Sequence, residues 1–207
     1  MSLNRALDKR DRRAEPAFDR LLASARESFA ADGYAATSLD DVCARAGVTK
    51  GSLYHHFRGK AELFEAVFED EARRLTTGAA EAMAEHEEPW TTVHAGLTAF
   101  LEGASQPGVQ RILFQDAPSL LGWARTREID RQYGLALVQN GLERLIDAGE
   151  IAVADPPTMA HLLLAALIEA ALLLNSQRDT PGQKDRIEHE LRTILVGLIP
   201  RIGTGRL

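Results

Sequence analysis

At 207 residues, 45% apolar and 26% charged, the chain has the balance of a soluble globular protein with room for one small and one larger domain. Its net charge of −6 is unevenly spread: residues 1–60 carry eleven Lys/Arg against eight Asp/Glu, and the remainder carries thirteen against twenty-two, so the acidity does not exclude a basic, anion-binding surface near the amino terminus. The single cysteine, Cys43, excludes an internal disulfide framework and any multi-cysteine metal site, and the charged opening residues lack an apolar signal core, so a cytoplasmic location is expected.

Residues 1–15 read as a flexible basic arm, with Arg5, Lys9, Arg10, Arg12 and Arg13. Pro16 suits the first turn of a helix. Phe18, Leu21, Leu22, Ala25 and Phe29 follow at helical spacing, and Gly33 supplies a stop. Thr37 and Ser38 are both N-cap residues, each with an aspartate three positions on. Leu39, Val42, Cys43 and Ala46 then form one apolar stripe ending at Gly47. Val48 turns inward, Thr49 caps again, and Leu53 with Phe57 give a third short helix its inner face. A two-helix unit joined by a tight glycine turn is the helix-turn-helix pattern.

After Gly59 a longer helix opens at Lys60 and runs to Glu87-Glu88-Pro89. Further helices are expected near 90–104, 107–114, 119–148, 157–176 and 183–199, separated by proline and glycine breaks. No stretch alternates as a strand would, which makes the fold all-α. The run Leu162–Leu174 is interrupted by Glu169 and falls short of the roughly 20 residues of a membrane span, so a buried helix and no membrane partner are expected.

The informative stretch is Gly33–Phe64. With Leu53 and Phe57 turned inward, Lys50, Gly51, Tyr54 and His55 point outward, with Ser52 near the helix start. A helix lying in a major groove needs such a surface, because base edges are read by donors and acceptors and phosphates by cations and hydroxyls. Gly51 weakens its helix by about 1 kcal/mol relative to alanine, a cost that makes sense where another molecule approaches the backbone closely. Cys43 falls at a small-residue core position, and His56 reads as a capping or packing residue.

The segment resembles the TetR family of transcriptional regulators. The resemblance rests on Gly33-Tyr34, Thr37-Ser38, Ala46-Gly47-Val48, Leu53-Tyr54-His55-His56-Phe57 and Lys60. It implies an amino-terminal three-helix helix-turn-helix domain (16–60), an all-helical effector-binding and dimerisation domain (61–202) and a short tail (203–207). By resemblance, Thr37, Tyr54 and Lys60 contact phosphates and Lys50, Gly51, Ser52 and His55 face base edges; the caps Ser38 and Thr49 join that DNA-binding set. Gly59 and Asp40 depart from the family pattern, the aspartate in a sense that weakens phosphate attraction. The arm 1–15 is open to a minor-groove role.

In the body, helix 157–176 is apolar nearly all round, which implies burial on more than one side. The last helix places Ile187, Leu191, Ile194, Leu195 and Leu198 on one stripe. The resemblance implies that these two helices form a homodimer interface, for which Leu163, Leu167, Leu174, Leu191 and Leu195 are the candidates. Two-fold symmetry then requires a partly palindromic double-stranded operator. Phe100, Phe114, Trp123, Tyr133, Asn140 and Glu169 are the candidate ligand contacts for a small, mostly apolar effector. Glu169 reads either as a buried carboxylate paired with Arg125, Arg127 or a cationic ligand, or as one arm of a solvated or intersubunit salt bridge.

No cofactor is implied. The sequence lacks a His-Glu-x-x-His, a Gly-x-Ser-x-Gly and a phosphate-binding loop, so an enzyme is not expected. The function read from the chain is a DNA-binding regulator, a repressor released from its operator by an effector. The alternative is a nucleoid-associated or protein-binding factor whose body is purely structural.

Overall fold

The computed structural model describes residues 16–176 and 181–197; the arm 1–15, Leu198 and the tail 203–207 lie outside the described residues. All regular elements among them are helical. They are α1 (Pro16–Ala36), α2 (Leu39–Ala46), α3 (Lys50–His56), α4 (Lys60–Ala84), α5 (Pro89–Ser105), α6 (Trp123–Asp147), α7 (Pro156–Ser176) and α8 (Gln183–Val196). Between α5 and α6 lie a turn at Pro107–Val109, a π-helical stretch Gln110–Asp116 and one short turn Ala117–Leu120.

The chain divides into two compact units, residues up to 71 with 107–126, and 72–106 with the residues from 127 on. The boundary read from the sequence at residue 60 is therefore not a division in space, because α4 starts in the first unit and ends in the second.

In the first unit, Leu21, Ala25 and Phe29 of α1 are fully buried with Val42 of α2, Leu53 of α3 and Leu63, Phe64 and Val67 of α4. Gly33 sits at φ 80° inside the last turns of α1, where an L side chain would be strained, and bends the chain as its sequence position predicts. The irregular stretch 107–120 braces that bend. Arg111 donates to the carbonyls of Ala30 and Ala31, and the Tyr34 amide donates to Asp116 Oδ2 at 2.9 Å. The helix expected near 107–114 is mostly π-helical, with Gln110, Ile112 and Leu113 all buried. The helix expected over 119–148 is broken at Gly122, φ 79°. Just beyond the break Arg125 pairs with Glu65 at 2.7 Å and Glu69 at 2.9 Å, tying the start of α6 to α4.

In the second unit, α5 and α7 are each opened by a carboxylate. Glu88 accepts from the amides of Trp90 and Thr91, and Asp155 from Thr158. Hydrogen bonds from the Thr91 and Thr158 side chains and from the backbone hold both carboxyls below their ordinary range. Leu142, Leu145, Ile151 and Ala160 form a core, with Trp90, Val93 and Met159 packed on it. Helix α7 packs on α5 and α8, and α8 on α5. The stretch Pro156–Leu174 is long and apolar enough by composition to cross a membrane, yet only a third of it is buried in the protomer, which corrects the expectation of burial on several sides. Leu164, Ile168 and Ala171 face inward, whereas Leu162, Ala165, Glu169 and Leu173 form an exposed stripe.

Candidate nucleic-acid interface

The turn before α3 is built from backbone caps. Gly47, at φ 64°, closes α2 with its amide on the Ala44 and Cys43 carbonyls, a conformation that favours glycine. From α1, Arg20 Nε donates to the Ala46 carbonyl at 3.1 Å and Ser24 Oγ to the Val42 carbonyl at 3.0 Å. The carboxy-terminal end of α2 is thus satisfied from inside. Thr49 is extended and its Oγ1 accepts from the Ser52 amide, which starts α3. Leu53 and Phe57 then anchor that helix in the core.

What remains outward is the candidate reading surface. Lys50, Gly51, Tyr54 and His55 are exposed, Tyr54 at 57%, and Ser52 is half-buried. A phenol exposed to that extent wastes apolar area unless a partner covers it. A Cβ added at Gly51 would meet nothing closer than Thr49 Oγ1, 3.7 Å away. Nothing inside the chain therefore demands glycine at this position. Lys50 Nζ lies 2.7 Å from Asp40 Oδ1, so the aspartate that departs from the family pattern holds the lysine from the neighbouring helix. That hydrogen bond, and then the charge of Asp40, raise the lysine pKa above its ordinary value.

Around this surface, Lys60 is half-buried, donates from Nζ to the Ala35 carbonyl at 3.0 Å and stands 4.6 Å from the Tyr34 ring centroid. Ser38 caps α2, accepting from the Asp40 amide. Thr37 is a correction: it is 5% exposed and its hydroxyl donates to the Gly33 carbonyl at 2.8 Å, so it braces the bend rather than presenting its hydroxyl proton to phosphate. His56 packs edge-on to Phe18, and Cys43 is buried with its thiol pKa pushed up by desolvation and then by Asp40.

The expected ligand and dimer residues are scattered. Phe100 lines an apolar cavity of about 90 Å³ in the second unit. Tyr133 and Asn140 line a groove of about 470 Å³ in the same unit. Phe114 and Trp123 belong to the first unit, and Trp123 is 58% exposed, so neither lines the cavity. Glu169 is exposed and not a buried carboxylate. Among the dimer candidates, Leu163, Leu167, Leu191 and Leu195 line the cavity and Leu174 is buried. They are turned into their own protomer. The large apolar side chains left outward on the described residues of these two helices are Leu162 and Leu173 of α7 and Ile194 and Val196 of α8.

Two short helices locked around a left-handed glycine, the second presenting a cation, a phenol, an imidazole and bare backbone, define a helix-turn-helix DNA-binding protein. Comparison with known proteins agrees. Residues 21–67 match the family described as bacterial regulatory proteins, tetR family, and residues 90–198 match the tetracyclin repressor-like C-terminal domain. A TetR-family transcriptional regulator from Pectobacterium atrosepticum superposes with a TM-score of 0.79 at 34% identity, covering 91% of this chain and 98% of that one. An uncharacterized HTH-type transcriptional regulator, YhgD of Bacillus subtilis (strain 168), is 29% identical over 78% of this chain and 84% of its own. The Transposon Tn10 TetC protein of Escherichia coli is 23% identical over 87% and 91%. The chain belongs to the TetR family and is a helix-turn-helix transcriptional regulator.

Proposed function

We propose that the protein is a homodimeric repressor that binds a partly palindromic operator through α3 and leaves it when a small effector occupies the second unit. The observation that carries the DNA-reading part is Gly51: it lies on the exposed face of α3 beside Lys50, Tyr54 and His55, where a Cβ would meet only Thr49 Oγ1 at an ordinary 3.7 Å, so the close approach of an outside partner is what favours glycine there. Lys50, Ser52 and His55 read base edges; Tyr54, Lys60, Ser38 and Thr49 position the helix on phosphates.

Leu162, Ala165 and Leu173 of α7 with Ile194 of α8 are the surface for the second copy. A mostly apolar stripe on two adjacent helices suits a four-helix interface between identical chains. Glu169 within that stripe finds its counter-charge across the interface. The cavity in the second unit supports an effector role over a purely structural body. An effector that binds better to one spacing of the two reading helices shifts the population and so the operator affinity.

Footprinting the protein on its own upstream DNA tests this reading. A two-fold symmetric footprint with half-sites about 34–36 Å apart, or a multiple of that, is expected. An asymmetric or sequence-independent footprint would refute it.

A further inference from the structure

The second unit pairs an apolar cavity with a basic groove, although it is acidic as a whole. The cavity walls include Leu97, Phe100, Leu137, Leu142 and Leu167. Its one oxygen-bearing side chain is Thr76, whose hydroxyl is engaged by the Ala72 and Arg73 carbonyls, so a water there would find few partners. At about 90 Å³ it is smaller than the ~150 Å³ cavity that accepts benzene, and it suits a chain of about three or four carbons.

The groove between α4 and α6 shares Thr76, Met83 and Leu137 with the cavity, so these three side chains are the partition between them. Met83 is the movable part. It is packed into the space left by two glycines: a Cβ on Gly96 would meet its Cγ at 2.6 Å, and one on Gly141 its Cε at 3.4 Å. An unbranched thioether reorients at low cost. The groove itself is lined by Arg73, Gln132, Tyr133, Asn140 and Arg144, and by no Asp or Glu, although residues 61–207 carry twenty-two acids against thirteen bases. Arg144 is held ready: Asn140 Oδ1 accepts from its Nε at 3.1 Å, and it makes no ion pair among the described residues. A guanidinium fixed through Nε keeps four further N–H donors for an anion.

We propose that groove and cavity form one site for a short-chain amphiphile with an anionic oxygen head, a carboxylate or a phosphate ester. The alkyl chain passes Met83 into the cavity and the head sits on Arg144 beside Arg73 and the Tyr133 and Asn140 side chains. This deepens the effector reading and rests on it for its regulatory meaning, though not for binding itself.

The test is calorimetric titration of the full-length protein with hexanoate, hexyl phosphate, hexanol and acetate, with operator binding followed in parallel. Hexanoate or hexyl phosphate should bind at least tenfold tighter than hexanol, the tighter of the two naming the head, and acetate should bind weakest. Arg144→Gln, at an exposed position that does not threaten folding, should abolish the preference over hexanol and leave hexanol unchanged. Leu167→Phe should weaken all the six-carbon probes by filling the cavity. Equal binding of hexanol, an unchanged preference in Arg144→Gln, or no binding of any six-carbon probe overturns the proposal. Tight, Arg144-dependent binding with unaltered operator affinity leaves the site standing and removes the effector reading.

Discussion

The two units solve opposite problems with the same kind of helix. In the first, polar groups are spent on the chain itself: Arg20, Ser24, Thr37 and Arg111 each satisfy a backbone carbonyl, and Thr49 and Ser38 cap a helix. The result is a small platform on which α3 keeps Lys50, Gly51, Tyr54 and His55 exposed. In the second unit the interior keeps a void, and the glycines of α5 and α6 are filled by flexible tips, Met83 over Gly96 and Leu164 over Gly134.

The widest break in that comparison should come from the surface that joins two platforms. Leu162→Glu with Leu173→Glu touches neither cavity nor α3, yet should turn the dimer into a monomer and cut operator affinity by on the order of 10²–10⁴-fold, since the second half-site then binds independently. Sedimentation and operator titration on the same sample check it; a dimer that survives both charges places the interface elsewhere. Gly51→Ala should separate the platform's stability from its use. The alanine fits without a clash and stabilises α3 by about 1 kcal/mol, while operator affinity falls roughly tenfold as the methyl meets DNA. Thermal melting and anisotropy read the two halves, and a variant both stabler and equally tight would remove Gly51 from the interface.

In the second unit, burial pushes the Asp130 carboxyl up from 3.8 to about 6, and the charges of Arg127 and Arg131 offset this only in part. Since the folded form holds this proton more tightly than the unfolded chain, stability falls as pH rises through about 4 to 6 and stays lowered above that window. Asp130→Asn should therefore stabilise the protein at pH 7.5, by on the order of 1–2 kcal/mol after solvent screening, with the gain vanishing below pH 4. A gain independent of pH would assign the effect to packing. The smallest effect belongs to Asp40→Asn. Freeing Lys50 from its 2.7 Å partner should tighten binding to unrelated DNA by a few-fold and flatten discrimination between operators. Unchanged discrimination would make the pair a bystander.

The same contrast explains what the sequence reveals. Helices α2 and α3 were legible nearly to the residue because their ends carry strong local chemistry, Ser38 and Gly47 for one and Thr49 for the other, and because Leu53 and Phe57 leave a single outward face. Thr37 was misread because two adjacent hydroxyls each fit the cap, and only the fold decides that Ser38 takes it. In α7 the apolar pattern has no phase: Leu162, Leu163 and Leu164 are chemically alike, but the first is exposed, the second lines the cavity and the third is buried. Glu169 marks the outward face of this helix, and of the two readings its sequence position allowed, the buried carboxylate is the one its exposure removes. Phe114 and Trp123 fall in the first unit, away from the cavity lining, because Gly122 and the π-helical stretch break the helix their pattern suggests. Arg73 and Arg144 carry no sequence signal at all, as a groove with two arginines and no acid exists only once α4 and α6 are side by side.

The most direct test of the central claim is the salt dependence of binding for wild type, Lys50→Ala and Tyr54→Phe, each on operator and on scrambled duplex. If α3 reads DNA, affinity drops steeply with salt for all three, Lys50→Ala loses most of the preference for operator, and Tyr54→Phe weakens both duplexes equally. Two substitutions that leave every curve superimposed on the wild type would contradict the account.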